Sequence, residues 1–306
     1  MYKQIAANRQ KTVLLIFSFL VLIIAVGYFA SVYWDSPSIL AWAAIASVGM
    51  SWWSYFAGDK AILAMSGARV VQHDADIKQR QIVHLVENLC ITAGLPVPKV
   101  YLVNDSAPNA FAVGRDPKHA SIALTTGIIE KLDKAELEGV IAHELSHIKN
   151  YDILLSTVVI TLLGVITLIA DWMSRSSSVA SNQGMRVSFG KRNNNKGGSS
   201  ALFIISIIFL ILAPIFAQLI YLGVSRQREY LADASGALLT RYPEGLTSAL
   251  EKLAADNNKL RFANRATAGL YIVDPFKKAK EIAGELWSTH PPIAKRIEAL
   301  HNMNVG

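Results

Sequence analysis

The chain has 306 residues, of which 52% are hydrophobic and only 17% charged, a balance that excludes an ordinary soluble globular protein. A net charge of +7 might suggest nucleic acid, but the Lys and Arg residues are scattered along polar segments with no nucleic-acid motif beside them. Basic residues meeting anionic lipid at a bilayer surface account for the excess more simply.

The apolar content is concentrated in runs. Residues 13–33 carry no charge, enough for a helix to span a hydrocarbon core of ~30 Å. Residues 38–57 form a second uncharged run, with Trp42, Trp52 and Trp53, and Asp35 and Pro37 lie in the link between the two. The pair predicts a transmembrane hairpin. A cleaved signal peptide competes for the first run, because Lys3, Arg9 and Lys11 precede it and Ala25-Val26-Gly27 is a small-x-small site. The run exceeds the usual apolar core of such peptides, about 7–15 residues, and a second span follows at once, so an uncleaved anchor is the stronger reading. The basic N-terminus then lies on the cytoplasmic side.

Residues 76–93 follow with apolar positions at Ile82, Val83, Val86, Leu89 and Cys90, an amphipathic helix ending before Gly94 and Pro96. Cys90, the single cysteine, excludes an intrachain disulfide and reads as a small buried hydrophobe. Three short strands are predicted over Lys99–Val103, Ala110–Val113 and Ala120–Leu124, separated by turn-forming residues. Asp133 and Glu136 make a capping box that opens the next helix. Residues 153–170 and 201–223 are a third and a fourth uncharged run, the latter interrupted by Pro214 and Gln218. The Ser/Asn/Gly-rich stretch 174–200 between them is basic, has no acid and reads as a loop. Residues 224–306 read as helical and polar.

The helix opened by Asp133 carries His143-Glu144-Leu145-Ser146-His147. One turn apart, His143 and His147 share a helix face and can reach one metal ion, while Glu144 is placed to act on water rather than on the metal. A catalytic zinc takes three protein ligands and keeps one position open. Glu229 is the candidate third ligand, with Asp233 one turn further on to support a ligand histidine through its free ring N–H. His290, in Ser288-Thr289-His290-Pro291-Pro292, is a candidate donor to a developing oxyanion; its plainer roles are supporting the metal ligands from behind or helix capping.

These motifs together, with Ile-Lys-Asn-Tyr-Asp after the first and Asn109-Ala110-Phe111-Ala112 before it, resemble the HtpX family of membrane metallopeptidases, relatives of the CAAX prenyl proteases. The resemblance covers nearly the whole chain. It implies an α+β, mostly helical integral membrane protein with four hydrophobic segments and a gluzincin-like peptidase domain containing a small β-sheet. It also implies one Zn²⁺ per chain and a role in clearing unfolded or damaged membrane proteins during stress, from the cytoplasmic face of a bacterial inner membrane. The expected parts are a transmembrane hairpin (1–57), a first peptidase part (58–152), two hydrophobic segments with the basic loop (153–223) and a second peptidase part (224–306). A substrate backbone could add to an edge strand near Ser121 to Leu124, Ala123 included, with Asn109 and Phe111 lining the cleft; plain sheet and loop packing of these residues competes equally. The partners are then peptide and bilayer, with no nucleic acid.

Two other readings compete. In an intramembrane-cleaving metalloprotease the motif would lie inside a span, but Lys131, Asp133, Lys134, Glu136 and Glu138 crowd its approach and Lys149 and Asp152 follow it. A non-catalytic, zinc-stabilised scaffold would close four protein ligands around the ion and need no general base, which leaves Glu144 without a purpose.

Overall fold

A computed structural model describes residues 2–72, 76–166, 226–258, 260–261, 267–273 and 291–303. The basic loop 174–200, the apolar run 201–223 and His290 lie outside these. Helices α1 (Tyr2–Tyr33) and α2 (Pro37–Met65) are, among the described residues, the two long and apolar enough to cross a membrane. Both are longer than the runs 13–33 and 38–57, because the flanking polar residues continue the helix. Proline sits at the start of α2, where its missing N–H costs nothing. Val13, Phe17, Trp42 and Trp52 are 60–69% exposed, an outward apolar surface suited to lipid. At Gly27 a Cβ would fall 2.3 Å from that of Ala43, so the two backbones touch.

The polar part is built around α3 (Ile77–Ala93), α4 (Thr126–Lys131), α5 (Lys134–Lys149) and a four-stranded sheet. Asp76 caps α3 through the backbone N–H of Ile77, and Gly94 ends it at φ 66°. Its Cys90 is fully buried, and burial together with Glu87 pushes the thiol up to about 11, which makes it inert. The three expected strands are present as β2 (Lys99–Val103), β3 (Ala110–Gly114) and β4 (Ala120–Thr125), preceded by an unexpected β1 (Ala68–Val70). The spatial order is β1-β2-β4-β3, with β2 and β4 parallel and the other pairs antiparallel. This corrects one expectation. Ser121 and Ala123 lie on β4, hydrogen-bonded on both sides, so no substrate can add there; the edge nearest the motif helix is β3.

Helix α5 begins with the capping box read from sequence: Glu136 N–H donates to Asp133 Oδ1 (3.0 Å) and Asp133 N–H to Glu136 Oε2 (2.9 Å). It turns at Tyr151 (φ 59°) into α6 (Asp152–Ile166), which leaves at 82°. On α6, Leu154, Leu155, Val158, Val159 and Leu162 pack against Leu15, Phe19 and Leu22 of α1. Gly58 of α2 approaches Thr157 and Thr161, and Ser54 hydrogen-bonds Thr161. The membrane helices therefore pack directly on α6, and Ile62 and Leu63 of α2 pack with Ile160 against the sheet.

Three further helices close over α5: α7 (Arg226–Thr240), α8 (Pro243–Ala255) and α9 (Ile293–His301). A Cβ at Gly139 would lie 2.7 Å from the backbone N of Leu246, a contact neither helix can relieve without separating. Gly139→Ala is expected to destabilise by about 1–3 kcal/mol, through overpacking of the α5–α8 crossing, despite alanine's better helix propensity. A thermal melt checks it; an unchanged or raised Tm would show that the crossing is looser than drawn.

Candidate metal centre

The apolar stripe of α5 turns its motif inward. His143 is 1% exposed, and its Nε2 lies 3.2 Å from His147 Nε2. The opposite ring nitrogens face carboxylates: His143 Nδ1 is 2.9 Å from Asp233 Oδ1, and His147 Nδ1 is 2.9 Å from Asp152 Oδ2. Ionised carboxylates only accept, so each Nδ1 carries a proton, which leaves the two Nε2 atoms as the positions where a metal would be held. Glu229 adds negative charge, with Oε1 3.6 Å from His147 Nε2 and Oε2 3.9 Å from His143 Nε2.

These three groups could hold a metal ion among them. Burial alone would lower His147, but Asp152, Glu229 and Glu144 outweigh it and push the imidazole up to about 9, so positive charge is strongly favoured at this point. Burial lowers His143 more than Asp233 restores, which keeps a lone pair free for a metal. The separations also fit. Tetrahedral bonds of ~2.0–2.1 Å place ligand atoms roughly 3.3 Å apart, and the three candidate atoms lie within 4.8 Å of one another. The donor set of two imidazoles and a carboxylate suits zinc.

Helix α7 delivers Glu229 and Asp233 because its buried stripe is Glu229, Ala232, Asp233, Gly236 and Ala237, spaced one helical turn apart and mostly small. At Gly236 a Cβ would be 3.0 Å from His143 N, so α7 crosses α5 at the first ligand. A residue that the sequence reading missed holds Asp233 from behind. Arg296 of α9, 0% exposed, donates through Nε (2.8 Å) and Nη2 (2.6 Å) to the two Asp233 oxygens and through Nη1 to Ile272 O (2.9 Å). Burial would raise the Asp233 carboxyl, but this fork and His143 hold it below its ordinary value. Asp152, the partner of His147, was likewise noted in sequence only as a charge.

Glu144 is 2% exposed, lines the same cavity as His143, His147 and Glu229, and its carboxylate accepts from the Ala112 N–H. Burial, reinforced by Glu229 and opposed by His147, pushes it up to about 7, a value matched to accepting and releasing a proton near neutral pH. Along the free edge of β3 runs a short segment, 267–273. Ile272 N–H donates to Ala110 O (3.3 Å), Asn109 Nδ2 to Val273 O (3.1 Å), and Tyr271 stacks edge-on against Phe111. The cavity beneath, lined by Ala112, His143, Glu144, His147, Glu229 and Ile272, is about 30 Å³, the size of a water or an ion and far too small for a peptide.

The structure thus brings together His143, Glu144, His147, Glu229 and Asp233. Asn109 and Phe111 lie beside the centre but are buried, and Ser121 and Ala123 are in the sheet interior.

Residues 76–304 match the family described as peptidase family M48. The chain is 42% identical to the "Protease HtpX homolog" of Thermoanaerobacter pseudethanolicus over 308 residues, covering 100% of this chain and 98% of the relative. The homologue of the same name from Tropheryma whipplei is 42% identical over 303 residues, covering 99% and 98%. That of Dictyoglomus thermophilum is 41% identical over 303 residues, covering 99% and 94%. Among solved structures, S. mikatae Ste24p superposes with a TM-score of 0.52 at 20% identity, over 98% of this chain and 67% of that one, a likeness of fold.

Proposed function

The chain belongs to peptidase family M48 and is a membrane metalloprotease, and from that premise we propose that His143, His147 and Glu229 hold one Zn²⁺ per chain with Glu144 as the general base. The observation that carries this reading is the pair of Nε2 atoms 3.2 Å apart, each ring fixed from behind by a carboxylate, with Glu229 beside them. Bound there, the ion supplies a Lewis acid that polarises the scissile carbonyl and lowers the pKa of water. Glu144 takes the proton from the attacking water and returns it to the leaving amine. The substrate backbone adds along the β3 edge at Ala110 O, which requires Ile272 to leave Ala110. Asp233 and Asp152 keep the two histidines aimed throughout.

We assign the centre to the cytoplasmic side of the inner membrane and unfolded or damaged membrane proteins as its substrates. Asn8, near the start of α1, touches Asp152, so the centre sits on the side from which α1 enters the bilayer. Lys3, Arg9 and Lys11 at that end favour the cytoplasm. The number of crossings between His147 and Glu229 is then even, which fits spans in 153–170 and 201–223. We further propose a division into a transmembrane hairpin (1–57), a first peptidase part (58–152), two hydrophobic segments with the basic loop (153–223) and a second peptidase part (224–306), although α2 runs on past the first boundary to Met65.

The test is cleavage of casein by the detergent-purified full chain after chelator treatment. Activity should vanish on stripping and return with stoichiometric Zn²⁺. Cleavage that survives complete metal removal would end the reading.

A further inference from the structure

The turn joining α5 to α6 is gripped by the first membrane helix. Asn8 of α1, 3% exposed, donates from Nδ2 to Asn150 O (2.9 Å) and to Asp152 Oδ1 (2.7 Å). Arg9 lies over the Tyr151 ring at 4.5 Å, and Thr12 ties back to Asn8 O (2.9 Å). Two acceptors on one side of the amide fix its orientation with the NH₂ group toward them. Asp152 spends its other oxygen on His147 Nδ1. The path from membrane helix to candidate ligand is therefore two hydrogen bonds, Asn8 to Asp152 to His147. Residue 8 lies outside the stretch that matches the peptidase family, residues 76–304.

We propose that Asn8 is a positioning residue for the metal centre: its amide locks the Asp152 carboxylate in the rotamer that aims His147, so the membrane anchor completes the protein's metal site. The inference rests on the metal-centre reading above. Arg228, whose Nη1 is 3.5 Å from Asp152 Oδ1, neutralises the same oxygen but at a distance too long to set its direction. Asn8 is the short, directional contact. A carboxylate freed to rotate no longer fixes the histidine tautomer, and losing such a partner typically weakens metal binding ~10–100-fold.

The experiment measures Zn²⁺ affinity of the full chain by competition with a colorimetric chelator, beside kcat and KM on casein. Asn8→Leu keeps the size and removes the donor; Asn8→Ala removes it without a branched side chain to place, should the first variant fail to fold. Leu15→Ala, on the same helix and packed on α6 but out of reach of Asp152, reports what loosening α1 does by itself. The expected result is Zn²⁺ affinity lowered ~10–100-fold in the Asn8 variants, kcat restored toward the parent at saturating Zn²⁺, and affinity unchanged in Leu15→Ala. Parental affinity in a folded Asn8 variant, or an equal loss in Leu15→Ala, overturns the proposal. Failure of the parent itself to bind Zn²⁺ would instead remove the metal-centre reading, a result separate from either.

Discussion

Glu144→Gln is expected to retain Zn²⁺ at parental stoichiometry while kcat falls by at least ~10²–10⁴-fold, the usual worth of a positioned general base. Glutamine has the same shape and an oxygen that still accepts from the Ala112 N–H, so the buried pocket is kept. None of the three candidate ligand atoms belongs to residue 144. What disappears is the capacity to take a proton. The remaining residues of the centre still bind substrate and ion, so KM and metal content should hardly move. Glu144 must be ionised to act, and burial has pushed it up to about 7, so parental activity should fall as pH drops through that region. A cation held by His143, His147 and Glu229 favours the carboxylate and moves this acid limb lower. Casein cleavage against pH, with metal content measured on the same samples, checks both statements. A variant within tenfold of the parent would remove Glu144 from the mechanism.

The centre was legible in sequence wherever its geometry is local. The turn between His143 and His147 is set by helical pitch alone, and Asp133 and Glu136 announce the start of the helix that carries them. Glu229 and Asp233 were found by the same periodicity. The groups that hold these residues were not, because they meet across long separations: Asn8 and Asp152 are 144 positions apart, and Asp233 and Arg296 are 63. Arg296 did leave a trace, a lone cation on the apolar stripe Ile293, Ile297, Leu300 of an amphipathic helix. The strands were located closely, but the expectation that Ser121 to Leu124 form an edge was wrong. Which strand becomes an edge depends on a parallel crossover, β2 beside β4, that alternation of apolar residues does not encode. For the same reason the segment beside β3, 267–273, could not be foreseen, since it has no regular period to read.

Arg296→Met is expected to be the most destabilising single change near the centre, by about 3–5 kcal/mol in the metal-free protein, the usual consequence of leaving one partner of a buried ion pair alone. Asp233 is 2% exposed and held below its ordinary pKa mainly by this guanidinium against the cost of burial. Methionine nearly fills the volume of the arginine stem, so the loss is electrostatic and directional rather than a cavity. Arg296→Lys keeps the charge, yet an ammonium cannot make the two-point contact to Asp233 and the third to Ile272 O together, so it should rescue stability only in part. Asp233→Asn in the Arg296→Met background removes the stranded charge, and the double variant should be more stable than the sum of the singles by ~1–3 kcal/mol. Bound Zn²⁺ supplies positive charge to the same acids, so the gap between parent and Arg296→Met should narrow when metal is added. Thermal melts of the parent, Arg296→Met, Arg296→Lys, Asp233→Asn and the double variant, each with and without Zn²⁺, decide the matter. Additive losses, or an Arg296→Met melt equal to the parent's, would mean that the guanidinium does not hold Asp233 against His143. The melts thus separate the two supports of the centre: the His147 side is tied to the membrane helix through Asp152, and the His143 side to α9 through Asp233.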